Sequence, residues 1–203
     1  MTRGAIGVEP ARFALLGAAS GMLAAAAALV FHFGDVEVPR VVGVCFGFSG
    51  SGGRCEGVDG ALYWFPGTIF GLLFGVTWLW LGRFDAIRAA GFAIASLFSN
   101  AIAVFVCVGL FDRFESLLEI DPADLPLSLA GAVAGLAGSA LLSGVTRLLA
   151  PGTRLLRPII AGAALGFLTP LIIHLEFVGT FLFYILWQGG YGAALAAALP
   201  RPG

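Results

Sequence analysis

Six long apolar runs divide the 203-residue chain, and its polar residues gather in the short segments between them. The runs cover 12–32, 61–82, 89–111, 126–149, 158–174 and 180–199. A hydrocarbon core about 30 Å thick takes about 20 helical residues to cross, and every run fits that length. The pattern predicts an all-α integral membrane protein, a six-transmembrane-helix bundle forming a single domain over 1–203. The longest connections are two outer loops, 33–60 and 112–125, so no large soluble domain has room. The first run follows Arg3 and Arg12 as a secretory signal would. Its core is longer than the usual stretch of about 7–15 residues, and His32-Phe33-Gly34 offers no small-x-small cleavage site, so it reads as a retained helix.

The polar segments alternate in sign. With the N-terminus inside, eight of the eleven arginines fall on the inner side: Arg3, Arg12, Arg83, Arg88, Arg147, Arg154, Arg157 and Arg201. Arg40, Arg54 and Arg113 fall outside, together with ten of the twelve carboxylates. Membrane insertion keeps short basic segments in the cytoplasm. Both termini are therefore expected there, in a bacterial inner membrane. The net charge of −1 conceals this separation. Such an inner face attracts anionic lipid, and nothing in it resembles a nucleic-acid patch.

Composition sharpens the class. Apolar residues make up 59% and charged residues 11%, against roughly 45–50% and 25% in soluble domains. Every basic residue is arginine. Together with abundant alanine and glycine this suits a high-GC bacterial genome, and the absence of lysine excludes Schiff-base chemistry and hence a retinal protein.

Glycines recur four residues apart at Gly17 and Gly21, Gly71 and Gly75, Gly131 and Gly135, and Gly162 and Gly166. That spacing lets helix backbones approach closely where lipid supplies no hydrophobic drive, so GxxxG packing is expected. The segments 17–23 and 162–168 resemble one another, but on the commonest residues of membrane helices. Tyr63, Trp64 and Phe65 open the second run, and Trp78 and Trp80 close it, as an interfacial aromatic belt would. In the outer loop, Cys45 and Cys55 bracket a Gly- and Ser-rich stretch. An oxidising periplasm would join them in a disulfide; a metal pair is the alternative, though no histidine lies close by. Cys107, inside the third run, reads as a packing residue.

Three groups are candidates for function. At the outer edge stand His32, Asp35, Glu37, His174 and Glu176. Two imidazoles with carboxylates at one depth suit a metal, a haem or a proton relay; the plainer reading is solvated helix ends. Near mid-membrane lie Asn100, Ser139, Thr169 and Gln188, with Trp187 and Tyr191 alongside. These either hydrogen-bond helices together or line a solute path. Helix-breaking Phe65-Pro66-Gly67, Thr169-Pro170 and Gln188–Gly192 favour a path, whereas the lack of charge at that depth favours glue. Third, the acidic segment 112–124 places Phe114, Leu117 and Leu118 on one face. It suits a short helix on the lipid surface, or a dock for a basic periplasmic partner.

There is no GxSxG, HExxH, CxxC or phosphate-binding glycine loop. The sequence thus points first to a structural or accessory subunit, packed in the bilayer against other membrane subunits or its own copies. A channel or carrier for a small neutral solute comes second, and a membrane enzyme or metal or haem site using His32 and His174 third. No resident cofactor or metal is expected. The charge pattern sets a test. A membrane-impermeant thiol reagent applied from the periplasm should label a cysteine placed within 112–124 and miss cysteines at Arg88 or Arg154; the reverse pattern would invert the topology.

Overall fold

The computed structural model describes residues 10–33, 58–118, 124–171 and 175–200. The described residues are helical throughout, with no strand. The helices are α1 (Pro10–Phe33), α2 (Val58–Trp80), α3 (Ala86–Leu118), α4 (Asp124–Leu149), α5 (Leu156–Gly166) and α6 (Glu176–Ala198). Four of them, α1, α3, α4 and α6, are long and apolar enough to cross a membrane. Trp64–Trp80 of α2 and Leu156–Gly166 form shorter apolar helices.

Local chemistry explains where the elements stop. α2 ends at Gly82, whose φ of 68° is cheap only without a Cβ. There Gly82 N–H bonds Leu79 O, and Arg83 N–H bonds Trp78 O, closing the helix end. Asp85 then opens α3 by accepting the Arg88 N–H at 2.8 Å. A reversal of only five residues is the result. The fifth run departs from expectation: instead of one helix over 158–174, the α-helix stops at Gly166, passes through turns at 167–169 and is helical again at Pro170 and Leu171. Pro170 has no N–H for the Gly166 carbonyl, and its ring would clash there. Gly166 O instead accepts from Thr169 N at 3.1 Å and Thr169 Oγ1 at 2.5 Å.

The segment after the third run also differs. α3 runs unbroken for 33 residues to Leu118, so residues 112–118 continue it rather than forming a separate surface helix. At 1.5 Å per residue it is about 50 Å long and overshoots a hydrocarbon core of about 30 Å.

The helices form a closed ring in chain order, each packed on the next, with α6 returning to α1 in the most extensive contact of all. Neighbours run antiparallel. Gly17 and Gly21 of α1 face Gln188 and Tyr184 of α6, and Gly67 and Gly75 of α2 face Ser96 and Ala89 of α3. One end of the ring consequently gathers Arg12, Arg83, Arg88, Arg147, Arg154 and Arg157, while Arg113 and Glu115 lie at the other.

The ring has no hole along its aromatic side. Phe70, Phe74 and Trp78 of α2 point inward one turn apart, against Phe13, Phe84, Phe92, Tyr191 and Leu195. Phe70 stacks on Phe74 at 4.1 Å between centroids, and Trp78 meets Phe92 edge-on at 4.7 Å. Trp78 is thus a core residue with 0% exposure, not a belt residue; Trp80, 85% exposed, faces outward. The exterior carries exposed Leu15, Leu72, Val76, Ile94, Phe98 and Leu136, while Ser20, Ser96, Ser99, Asn100, Ser139, Ser143 and Gln188 are buried. Apolar outside and polar inside is the arrangement hydrocarbon surroundings select.

At several seams a side chain has no place. A Cβ on Gly17 or Gly21 would strike the backbone of α6, and one on Gly135 or Gly166 would strike the facing backbone of α5 or α4. The two similar segments face different neighbours: the 17/21 pair lies on α6, the 162/166 pair on α4. Gly144, by contrast, has open space at its Cβ direction. Gly17→Ala should therefore cost about 1–3 kcal/mol by overpacking. Gly144→Ala should be neutral or stabilise by up to about 1 kcal/mol, since alanine favours helix. Thermal unfolding in detergent compares the two.

Candidate functional site

α6 carries the polar centre of the ring. Its residues 184, 188, 191 and 195 recur at three and four positions, so one stripe faces inward, and all four are buried. Gln188, with 0% exposure, reaches across to α2, where its Nε2 donates to Pro66 O at 3.1 Å. The next carbonyl, Gly67 O, accepts from Ser96 Oγ of α3 at 2.8 Å. Donors from two other helices therefore brace α2 at the point where Pro66 interrupts its own ladder. Tyr191 extends the same stripe toward α4: its hydroxyl donates to Ser139 O at 3.4 Å and lies 3.2 Å from Ser143 Oγ. Trp187 stacks on Tyr191 with centroids 5.7 Å apart.

Between these groups sits a cavity of about 10 Å³, lined by Ser96, Ser99 and Asn100 of α3, Ser139 of α4, and Trp187 and Tyr191 of α6. Its volume matches about one water molecule. Ser99 Oγ and Gln188 Oε1 have no hydrogen-bond partner among the described residues. Ser139 Oγ donates within reach of Leu136 O at 3.2 Å and Ile159 O at 3.3 Å, tying α4 to α5.

Asn100 and Ser139 thus share one cavity, and Gln188 lies on the adjoining helix face. Thr169 does not join them. It follows α5, caps Gly166 O, and lies against Gly131 of α4. Its place in the mid-membrane group is corrected to that of a helix-end cap, made necessary by Pro170.

Of the outer-edge group, His32 ends α1 and Glu176 begins α6, so the antiparallel pair brings these two backbones to one end of the ring. Asp35, Glu37 and His174 lie outside the described residues, as do Cys45 and Cys55. Cys107 is a free, half-buried thiol within α3. Among the described residues no three His, Cys, Asp or Glu side chains come together. Outside the spans, desolvation lowers the Arg83 guanidinium from its ordinary value, yet arginine stays a cation at any physiological pH.

The aromatic column and the hydroxyls of Ser96 and Ser143 are not among the residues singled out from the sequence. A signal for the column existed: Phe70, Phe74 and Trp78 are spaced four apart. No protein-family model matches the chain, and no curated protein and no solved structure matches it.

The Gln188 bond generates a graded test. Gln188→Leu removes one hydrogen bond together with an unpartnered oxygen, so it should cost only about 1 kcal/mol. Gln188→Glu places a carboxylate in the same position and should cost at least about 3 kcal/mol. Melting temperatures of the two variants in one detergent give the order.

Proposed function

We propose that this chain is a six-helix protein of a bacterial inner membrane, with both termini cytoplasmic, acting as a structural or accessory subunit. The single observation that carries the reading is the filled interior. The aromatic column occupies one side of the ring, and among the described residues the cavity on the polar side measures about 10 Å³. A path for a solute needs far more. The gathering of arginines at one end supports the orientation, and the backbone-to-backbone seams support a small-residue-packed bundle with all six helices in the bilayer. Those seams are used up within the chain, so the glycine pairs do not mark a partner's surface. Accessory contacts, whether with another subunit or with a second copy, would instead use the apolar exterior. A Cys45–Cys55 disulfide would staple the outer loop in this arrangement.

A carrier for a small neutral solute is the second reading, and one observation favours it: Ser99 Oγ, unpartnered, faces a cavity also lined by Asn100 and Ser139. Asn100→Leu separates the two. If the amide only joins helices, its loss lowers the melting temperature by roughly 2–8 °C. Glycerol and urea permeability of reconstituted liposomes then stays at the protein-free level for parent and variant alike. Permeability above that level in the parent, altered by Asn100→Leu at unchanged stability, would make the carrier the better reading.

A further inference from the structure

A second concavity lies at the arginine-rich end, away from the polar centre. The α4–α5 turn, the start of α5 and the last turn of α6 border an open recess of about 470 Å³, lined among the described residues by Gly152, Arg154, Arg157 and the 197–200 segment. That volume falls within the roughly 300–1,000 Å³ of small-ligand pockets. Its walls are held in place from three directions. Gly152, at φ 93°, reverses the chain after α4. Thr153, buried, donates its hydroxyl to Ala150 O at 2.6 Å, and Arg154 N–H bonds Ala198 O of α6 at 2.9 Å. From the α2–α3 side, Arg83 Nη1 donates to Pro200 O at 3.1 Å.

Among the described residues, no carboxylate balances the charge in this recess. Both guanidinium groups are exposed, neither has a carboxylate partner among the described residues, and no acidic side chain is in the described lining. Asp85, at the same end, is engaged by Arg88 at 3.5 Å. Two arginines on one wall repel each other unless an anion lies between them, and their planar forks match phosphate oxygens. Exposed leucines flank the two arginines: Leu148, 80% exposed, lies near the end of α4, and Leu156, 69% exposed, opens α5 between Arg154 in the turn and Arg157 in the first turn of the helix. A phosphate head in the recess with acyl chains along those leucines fits such a boundary.

We propose that Arg154 and Arg157 form a binding site for a phosphate oxyanion, the phosphodiester of an anionic lipid headgroup or free phosphate. The lipid source rests on the reading of this end as lying at a membrane surface; the oxyanion chemistry does not. The test uses the full chain in maltoside micelles, with native mass spectrometry reading bound phosphatidylglycerol, phosphatidylcholine and inorganic phosphate. Retention of phosphatidylglycerol should exceed that of phosphatidylcholine at least about fivefold. Arg154→Gln with Arg157→Gln should abolish that preference, while Arg147→Gln, on α4 outside the recess, should keep it. Arg154→Lys with Arg157→Lys should retain part of it, since charge survives without the fork. Inorganic phosphate that binds and displaces the lipid at millimolar concentration identifies free phosphate as the ligand; lipid binding that phosphate leaves intact identifies the headgroup. Equal retention by the parent and the folded double-glutamine variant would overturn the site, as would no binding of either anion. Micelles have no inside, so failure here leaves the topology untouched, and inverted labelling leaves this result untouched.

Discussion

The closeness of α1 to α6 is the constraint from which the rest of this ring follows. A helix at the usual 8–10 Å separation would hold α6 away from the centre. Because Gly17 and Gly21 carry no side chain, the backbone of α6 at Gln188 and Tyr184 rests directly on α1. That contact closes the ring and fixes the rotation of α6. Gln188 is then delivered to Pro66 on α2, and Tyr191 to Ser139 and Ser143 on α4. In hydrocarbon, an unmade polar contact costs several kcal/mol. These cross-ring bonds therefore penalise any rotation of α6 that would abandon them.

The two sides of the ring interior use different physics. Around α2 and α3, close-packed aromatic rings supply dispersion contacts that lipid chains cannot match in density. Around α3, α4 and α6, serines, an asparagine, a glutamine and a tyrosine supply hydrogen bonds. Most of the serine and threonine donors bond backbone carbonyls, as at Ser96, Ser139 and Thr146. Of these, the Ser96 bond to Gly67 O and the Ser139 bond to Ile159 O cross between helices, whereas the Thr146 bond stays within α4. Cross-helix bonds of this kind join α2 to α3 and α6, and α4 to α5 and α6, around a cavity of about 10 Å³.

The ends of the bundle contrast with its middle. Reversals at Gly82 and Gly152 are short and well bonded, and they bring Arg83, Arg154 and Arg157 around the last turn of α6. Arginines that lie far apart along the sequence are brought by folding to one end of the ring. Topology and anion recognition would then draw on the same arginines.

The amino-acid sequence by itself determined the all-helical class, the apolar segments and the end of the ring at which each described arginine falls, because these depend on composition and on spacing along the chain. Pro170 announced a break that the span 158–174 ran across, and the carbonyl it leaves unpaired explains why Thr169 is a cap rather than a member of the polar centre. Only the tertiary structure decided that Trp78 faces the core while Trp80 faces outward, that α3 continues to Leu118, and that Gln188 meets Pro66 more than a hundred residues away. Apart from the four-residue spacing of Phe70, Phe74 and Trp78, hydropathy varies little around the long helices such as α1 and α6, so it does not by itself tell an inward face from an outward one. Which face turns inward is set by where backbones can touch and where buried donors find acceptors, and both are properties of helix pairs rather than of any one segment.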